Sequence, residues 1–198
     1  WRYIAARVRQ FMICLLVTET AMVGVFCALD FVLFFAFWEA MLIPMALLIG
    51  IWGGPRRVYA SIKFFIYTMA GSVFLLAALI ALYIQTGTFD LGGIAAALKG
   101  KPVSNLAVLL ILVGILSKSA TFPLHTWLPD AHSQAPSGIS AMLSGVVIET
   151  GVVALLRALG VIAEITSAWG AFLLAFGALN MIVGNLMALR QTQVKRLL

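Results

Sequence analysis

The segment Lys118–Ser140 carries more side chains capable of chemistry than any other part of this 198-residue chain. A lysine, two histidines and an aspartate stand there among Pro123, Pro129 and Pro136. Proline lacks a backbone N–H and interrupts a regular helix. In a very apolar protein the freed backbone groups must lie against protein or water, and ionisable side chains at such depth mark ion or proton paths. The segment therefore predicts a transport site.

The composition of the chain indicates a membrane protein. Hydrophobic residues make up 63% and charged residues 10% of the sequence, which is far more apolar than a soluble domain. The net charge of +6 could suggest a nucleic-acid partner, but no basic stripe is interleaved with exposed aromatic residues. We therefore expect a lipid bilayer, and no nucleic acid, as the surroundings of the chain.

No pattern in the sequence predicts a metal or a redox centre within this chain. Cys14 and Cys27 fall on one predicted helix, about 20 Å apart, which is too far for a disulfide, so we expect two free thiols facing lipid. No spacing matches zinc or iron–sulfur ligation, and no nucleotide loop, haem pattern or nucleophile elbow is present. We expect no cofactor in this chain.

Apolar stretches of about 20 residues predict membrane-spanning helices. They cover residues 9–29, 31–51, 62–84, 104–121 with a continuation past a break, 138–160 and 167–189. Only a dozen apolar residues precede Lys118 in the fourth stretch, too few to cross a bilayer, and three prolines follow. We therefore predict one transmembrane domain over residues 1–198, all-α, with about six spans. One of these spans is discontinuous, as in transporters that build ion sites from broken helices.

The distribution of basic residues predicts the orientation of these spans. Nine basic residues fall on one side of the predicted bundle and only Lys99 and Lys101 on the other, so the positive-inside rule places the N-terminus in the cytoplasm. The loop 85–103 would then face outward and is expected to form a short interfacial helix. The nine are Arg2, Arg7, Arg9, Arg56, Arg57, Lys63, Arg190, Lys195 and Arg196, and the tryptophans near span ends are Trp1, Trp52, Trp127 and Trp169.

Glu39 and Lys118 are the leading candidates for proton transfer. Glu39 lies mid-span in FFAFWEAMLIPM, with Pro44 about one turn beyond. One interpretation is a structural acid hydrogen-bonded inside the bundle; the interpretation we favour is a carboxylate that carries protons or tunes Lys118. At about 4 Å and an effective dielectric constant near 20, such an ion pair gains roughly 4 kcal/mol. Moving Glu39 away could therefore convert Lys118 from a proton holder to a proton donor.

The other charged residues have more than one interpretation. His125, Asp130 and His132 match no familiar metal site, and we expect them to hydrogen-bond the unwound backbone and to relay protons. Lys63 either snorkels to the interface or supports transport. Glu149 lies inside the fifth span, where an unpaired acid is costly, so a functional role is predicted. By position we expect Glu19 to be buried and Arg157 to be an anchor at a span end.

Four segments resemble the antiporter-like membrane subunits of NADH–quinone oxidoreductase (complex I), above all the chain M or subunit 4 family. They read FFAFWEAMLIPM, KFFIYTMAGS, KSATFPLHTWLPDAHSQAPS and QTQVKRLL. Membrane subunits of energy-converting hydrogenases, formate hydrogenlyases and multi-subunit sodium/proton antiporters are related. The resemblance implies a fourteen-helix fold with two five-helix inverted repeats. This chain would hold the fourth to ninth helices, as a segment of a longer subunit.

The resemblance also implies roles for individual residues. Glu39 matches the family's fifth-helix glutamate, Lys118 its broken seventh-helix lysine, and Lys63 a lysine at the start of the sixth helix. Glu149 departs from the pattern, because relatives of chain M usually place a lysine there. Glu149 either relays the proton from Lys118 as a neutral acid or pairs permanently with a base such as Lys63 or Arg157. In the second case the path would run through water and the two histidines.

The function implied is proton translocation within a respiratory oxidoreductase. Electrons would flow through flavin and iron–sulfur clusters in partner subunits, and the partners would be the other membrane and peripheral subunits of the complex. The expected location is a bacterial or archaeal cytoplasmic membrane. The alternatives are a subunit of a cation/proton antiporter, or of a membrane-bound hydrogenase or formate hydrogenlyase. A structural spacer is disfavoured by Glu39, Lys118 and the proline-broken helix.

Overall fold

The computed structural model describes residues 4, 6–101, 103–162 and 167–191, and this part of the chain is all-helical. Arg2, Lys195, Arg196 and Trp1, used above for orientation and interface, lie outside the described residues. The helices are α1 (Val8–Cys27), α2 (Phe31–Ala40), α3 (Leu42–Trp52), α4 (Arg57–Thr86), α5 (Leu91–Leu98), α6 (Asn105–Lys118), α7 (Leu128–Gln134), α8 (Ser137–Met142), a π-helical segment (Leu143–Val147), α9 (Ile148–Val161) and α10 (Ser167–Leu189).

Five helices in the described residues are long and apolar enough to cross a membrane. They are Val8–Cys27, Phe31–Trp52, Arg57–Thr86, Ser137–Val161 and Ala168–Leu189. The sixth span is the discontinuous one: α6 is apolar but has only 14 residues, residues 119–127 form turns, and α7 follows. This confirms the predicted all-α fold with about six spans and one break. The helix expected within residues 85–103 is also present, as α5.

Two aspartates fasten the turns at one end of the bundle. Asp30 caps α2, accepting from the N–H groups of Val32 and Leu33 at 2.7 and 3.1 Å, and Asp90 caps α5 by accepting from Gly93 at 2.7 Å. Their backbones form an isolated antiparallel bridge. Side-chain caps of this kind satisfy the first N–H groups of a helix, and the backbone bridge joins the α1–α2 turn to the α4–α5 turn.

Arg157 anchors α9 to the end of α1. Its guanidinium donates to the carbonyl oxygens of Val25 at 2.7 Å and Ala28 at 2.9 Å, and also to that of Phe26. The last carbonyls of a helix have no partner within it, and a basic side chain can satisfy them. Arg157 is therefore an anchor as expected, although what it holds is the backbone of a neighbouring helix.

The expectation that Glu19 is buried is wrong for the described chain. The buried residues of α1 are Thr18, Ala21, Met22 and Val25, which share one helical face. Glu19 lies off this face and is exposed. Cys14 and Cys27 are both free, as predicted, with Cys27 exposed and Cys14 partly buried.

Glycines let α4 and α6 approach each other closely. A Cβ atom built on Gly114 would lie 2.7 Å from the Cβ of Leu75, and one on Gly71 would lie 2.6 Å from the Cβ of Ser117. Small residues permit such close backbone contact between membrane helices. Ser117, which contacts Gly71, directly precedes Lys118 in α6. The crossing therefore places α4 beside the helix break.

Candidate functional site

Lys118 is the last residue of α6 and is buried, with 1% of its surface exposed. Its Nζ atom donates a hydrogen bond to the carbonyl oxygen of Trp38 at 2.6 Å and lies 3.9 Å from the centroid of the Trp38 ring. A buried ammonium is costly without partners, and a carbonyl dipole with an aromatic face supplies two favourable contacts. Lys118 therefore lies in the interior of the bundle, as a transport role requires.

The carbonyl that holds Lys118 lies three residues before Met41, where the span Phe31–Trp52 has a one-residue irregularity. α2 ends at Ala40 and α3 begins at Leu42, with Pro44 in the first turn of α3. Proline cannot donate to the carbonyl four residues earlier, and its ring crowds that carbonyl. The indole of Trp38 is itself fixed by a hydrogen bond from Nε1 to Ser72 Oγ at 3.2 Å. The end of α6 thus meets the span Phe31–Trp52 at the Trp38 carbonyl.

Glu39 is close enough to interact electrostatically with Lys118, but the two do not form a direct ion pair. Its Oε1 atom is buried and has no hydrogen-bond partner among the described residues. The structural interpretation, an acid hydrogen-bonded inside the bundle, therefore has no support at this oxygen. Since Glu39 directly follows Trp38, the carboxylate and the carbonyl that holds the ammonium belong to the same turn of α2.

The polypeptide turns away from α6 immediately after Lys118. The N–H groups of Ser119 and Thr121 bond back to the carbonyls of Ile115 and Leu116 at 3.0 and 3.1 Å. Ala120 has a φ of 51°, in the left-handed region that usually favours glycine at a helix end. The helix thus ends in a tight C-cap, and the lysine is its last helical residue.

Protein groups also bond to parts of the break beyond Thr121. Trp127 is completely buried, and its indole donates to the carbonyl of Ser117 at 3.0 Å. The backbone N–H of Phe122 donates to Asn180 Oδ1 of α10 at 2.6 Å. The non-helical backbone is thus bonded to protein at these two points, while Phe122, Pro123 and Thr126 are exposed. Trp127 is not the interfacial residue that its place near a span end suggested, because the break turns its ring into the core.

Each serine beside Lys118 packs against a glycine of a neighbouring helix. A Cβ atom on Gly71 of α4 would lie 1.9 Å from Ser117 Oγ, and one on Gly151 of α9 would lie 2.0 Å from Ser119 Oγ. These two positions exclude any side chain unless the serines move. The lysine is therefore positioned by close packing on both sides of the break.

Lys63 and Asp130 form the only ion pair among the described residues. The Nζ–Oδ2 distance is 2.7 Å, and both side chains are about one-fifth exposed, at 21% and 22%. Lys63 therefore does more than snorkel. Asp130, expected to bind the unwound backbone, has a lysine as a side-chain partner, and the pair connects α4 to α7.

The two histidines occupy different environments. His132 is buried, and its Nδ1 shares a hydrogen bond of 2.6 Å with Ser140 Oγ of α8, so it binds a hydroxyl. The Nδ1 atom of His125 is buried without a hydrogen-bond partner among the described residues, and its ring lies 5.6 Å from that of Phe122. A proton-relay role for either histidine stays a prediction.

Glu149 is not brought together with Glu39 and Lys118. It lies on the exposed side of α9, whose buried face carries Thr150, Gly151 and Ala154. The proposed permanent pairing with Lys63 or Arg157 is wrong for this structure, because Lys63 binds Asp130 and Arg157 binds carbonyls of α1. The relay hypothesis stays a prediction.

A cavity of about 750 Å³ lies between the start of α1, the end of α3 and the α7–α8 junction. Phe11, Trp52, Gln134 and Ser137 are among the residues that line it. The backbone N–H of Arg56 donates to Gln134 Oε1 at 2.9 Å, so the α3–α4 turn is attached to the end of α7. In the described part of the chain, no group of three or more histidine, cysteine, aspartate or glutamate residues could hold a metal ion.

Trp38 and Asn180 are site residues that the sequence analysis missed. Trp38 holds Lys118 through its backbone, and a backbone role leaves no signal in residue type. Asn180 could have been noticed as an amide within an apolar helix. Together these groups define a polytopic helical membrane protein with a buried lysine at a helix break, a class typical of ion-transport subunits.

Residues 28–198 match the family described as "NADH:quinone oxidoreductase/Mrp antiporter, TM", and the chain belongs to this family. It is 39% identical to NADH-quinone oxidoreductase subunit M of Rhodobacter capsulatus over 211 residues, covering 99% of this chain and 41% of that protein. It is 42% identical to an NAD(P)H-quinone oxidoreductase chain 4 of Synechococcus sp. over 191 residues, covering 95% of this chain and 36% of that one. The chain thus spans about two-fifths of the length of these curated relatives.

Solved structures show the same fold. A chain of respiratory complex I from Thermus thermophilus is 31% identical with a TM-score of 0.84, and the match covers 94% of this chain and 41% of that chain. A chain of the membrane-bound sulfane sulfur reductase, an archaeal respiratory membrane complex, is 28% identical with a TM-score of 0.86. That match covers 93% of this chain and 39% of that chain. Both similar chains belong to respiratory membrane complexes.

Proposed function

We propose that this chain is part of a proton-translocating membrane subunit of a respiratory oxidoreductase of the NADH–quinone type. One observation carries the proposal: the buried Nζ of Lys118, at the broken end of α6, donates to a backbone carbonyl of the neighbouring span. The family membership and the similarity to subunit M proteins support it. The chain would correspond to the fourth to ninth helices of a longer subunit in a bacterial or archaeal cytoplasmic membrane.

The proton would be held and released at Nζ of Lys118. Trp38 binds the charged form through its carbonyl and its ring, but neither group can take up the proton. Glu39, the residue after Trp38, has a buried carboxylate oxygen with no hydrogen-bond partner among the described residues. Bringing its carboxylate to about 4 Å would stabilise the ammonium by roughly 4 kcal/mol at an effective dielectric constant near 20. Its withdrawal would favour release, and the interruptions at Met41 and after Lys118 are where the two helices can shift.

Access to Lys118 from one side would run past α7. This helix carries Asp130 and His132 and ends at Gln134, which lines the cavity beside Trp52. The Lys63–Asp130 pair and the His132–Ser140 hydrogen bond lie along α7. Partner subunits would carry the flavin and iron–sulfur clusters, and energy from their electron transfer would move this chain's buried charges.

Replacing Lys118 with alanine in the complete complex tests the proposal. Pumping into reconstituted vesicles, followed with a pH-sensitive dye, should fall to background, while electron transfer from the donor to an artificial acceptor persists. Lys101→Ala is the matched control, because Lys101 is an exposed lysine outside the spans. Unchanged pumping by the Lys118→Ala complex would remove this lysine from the mechanism.

A second candidate function is cation/proton exchange or hydrogen-linked respiration. The family description includes Mrp antiporters, and the similarity to the sulfane sulfur reductase complex is as close in fold as that to complex I. Purifying the intact assembly and identifying the co-eluting subunits separates these functions. Flavin and iron–sulfur subunits support the first proposal, hydrogenase-like subunits support a related respiratory complex, and small antiporter subunits alone support exchange.

A further inference from the structure

α10 contacts the discontinuous helix at both of its ends. At the start of α6, the indole of Trp169 donates to Asn105 Oδ1 at 2.9 Å. Beyond the end of α6, Asn180 Oδ1 accepts the hydrogen bond from the backbone N–H of Phe122 at 2.6 Å. The eleven helical steps from Trp169 to Asn180 span about 16 Å, which is shorter than the 14-residue α6. α10 is thus hydrogen-bonded to the start of α6 and to the turn that follows α6.

Asn180 lies on the side of α10 that faces the bundle. The partly buried residues Trp169, Leu173, Phe176, Asn180 and Val183 recur at intervals of four and three, the spacing of one helical face. Asn180 is the only amide among them. A polar side chain on such a face is costly unless its hydrogen bonds are made, and here they are: Nδ2 donates to the Phe176 carbonyl at 2.9 Å, and Oδ1 accepts from Phe122.

The N–H of Phe122 is one of the backbone groups beyond the helix end that have no acceptor within α6. Ser119 and Thr121 bond back into α6, and Pro123 has no N–H. In a membrane every backbone polar group must be satisfied within the protein. A leucine at position 180 would fit the apolar stripe equally well, so the asparagine is explained by this backbone contact.

We infer that Asn180 is a positioning residue for Lys118, and that α10 sets the position of the lysine through the bond to Phe122. The break between them is short: Phe122 lies four residues after Lys118, and Ser119 and Thr121 tie this stretch to α6. A shift of α10 therefore moves the end of α6 relative to the Trp38 carbonyl. The inference rests on the proposed role of Lys118 in carrying the proton.

Three variants in the complete complex test this inference. Asn180→Leu removes the acceptor, Asn180→Asp keeps an acceptor oxygen, and Asn185→Leu is the matched control. Asn185 is on the same helix and makes the same kind of bond to its own backbone, from Nδ2 to the Met181 carbonyl at 2.7 Å, with no contact to the break. Two quantities are measured: proton pumping per electron transferred, as a function of pH, and amide hydrogen exchange of residues 119–127.

For Asn180→Leu we expect exchange in residues 119–127 to rise on the order of tenfold, as for the loss of one hydrogen bond. Pumping should fall several-fold, and its pH profile should shift because the surroundings of the lysine change. Asn180→Asp should restore the exchange protection, and Asn185→Leu should resemble the wild type. If Asn180→Leu prevents assembly, Asn180→Ala is interpreted in the same way.

Two outcomes would overturn the inference. If exchange rises while pumping and its pH profile stay unchanged, Asn180 merely satisfies the backbone. If Asn185→Leu causes the same loss, the effect belongs to α10 in general. The Lys118→Ala variant tests the proposed function by itself, because it changes pumping without any change at Asn180. The exchange measurement tests the Asn180 contact by itself, because it does not depend on pumping.

Discussion

At the scale of single residues, the direct partner of Lys118 is a backbone carbonyl and not a carboxylate, and this affects how easily the lysine can release its proton. A carbonyl stabilises the ammonium as a dipole and has no charge to lose, whereas a carboxylate in contact would hold the proton more firmly. With Trp38 as the direct partner, the charge of Glu39 acts from beyond ion-pair contact. A modest movement of Glu39 therefore changes the equilibrium between the charged and neutral forms of Lys118 without breaking an ion pair.

Glu149 gives the residue-scale prediction. Glu149→Gln keeps the shape and the hydrogen-bonding capacity of the side chain but cannot carry a proton. If Glu149 relays the proton released by Lys118, this variant should assemble normally, transfer electrons to an artificial acceptor and lose most of its proton pumping, as measured in reconstituted vesicles.

The matched control is Glu19→Gln, since Glu19 is another exposed acid on a spanning helix of this chain. Normal pumping by the Glu149→Gln complex would show that Glu149 has a structural role. The path beyond Lys118 would then have to pass through His125 or His132.

At the scale of elements, glycines determine how closely the helices approach the break. Gly71 and Gly114 allow α4 and α6 to cross, and Gly151 brings α9 against Ser119. The left-handed Ala120 ends α6 just after the lysine. Met41, where α2 gives way to α3, lies three residues beyond the Trp38 carbonyl. Four elements, α2, α4, α6 and α9, therefore pack around Lys118, and α10 adds its hydrogen bond to Phe122 just beyond the helix end.

Gly71→Ala tests this packing. The added methyl group would lie 2.6 Å from Ser117 Cβ, so α4 and α6 must separate, at a cost of about 1–3 kcal/mol for overpacking. We expect a lower thermal midpoint for the complex and reduced pumping, because the residue beside Lys118 has to move.

Gly145→Ala provides the comparison, because a Cβ atom there meets nothing within 4 Å. That variant should match the wild type in both measurements. Equal behaviour of the two alanine variants would mean that the α4–α6 contact does not position Lys118.

At the scale of the whole molecule, the asymmetry of basic residues predicts which side of the membrane each end faces. Arg56 immediately precedes α4 and Arg57 is its first residue, while Lys99 and Lys101 follow α5 at the opposite end of α4. The 30 residues of α4 reach about 45 Å, enough to separate the two groups across a bilayer.

Single cysteines test this orientation in the complete complex in intact cells, after Cys14 and Cys27 are replaced by serine. Lys101→Cys should react with a membrane-impermeant maleimide added outside, and Arg56→Cys only after permeabilisation. The opposite labelling pattern would show that the chain has the reverse orientation and that the proton path through Lys118 runs in the opposite direction across the membrane.

The sequence by itself determined the spans, the class of protein and the helix break. These follow from local properties, namely runs of about 20 apolar residues and three prolines after Lys118, which act within one or two helical turns. The predicted spans 9–29 and 138–160 accordingly lie within two residues of the observed helices at every bound. Glu39 and Lys118 could be singled out because a charge inside an apolar run is visible without any structure.

Only the tertiary structure decided which groups these residues contact. Lys118 reaches a carbonyl 80 residues away, Lys63 an aspartate 67 residues away, and Phe122 an amide 58 residues away. Residue types do not encode such pairings, because a backbone carbonyl is present at every position and the facing of each helix depends on its neighbours. For the same reason Glu19 and Glu149 proved to be exposed, since the register of their helices was set by packing.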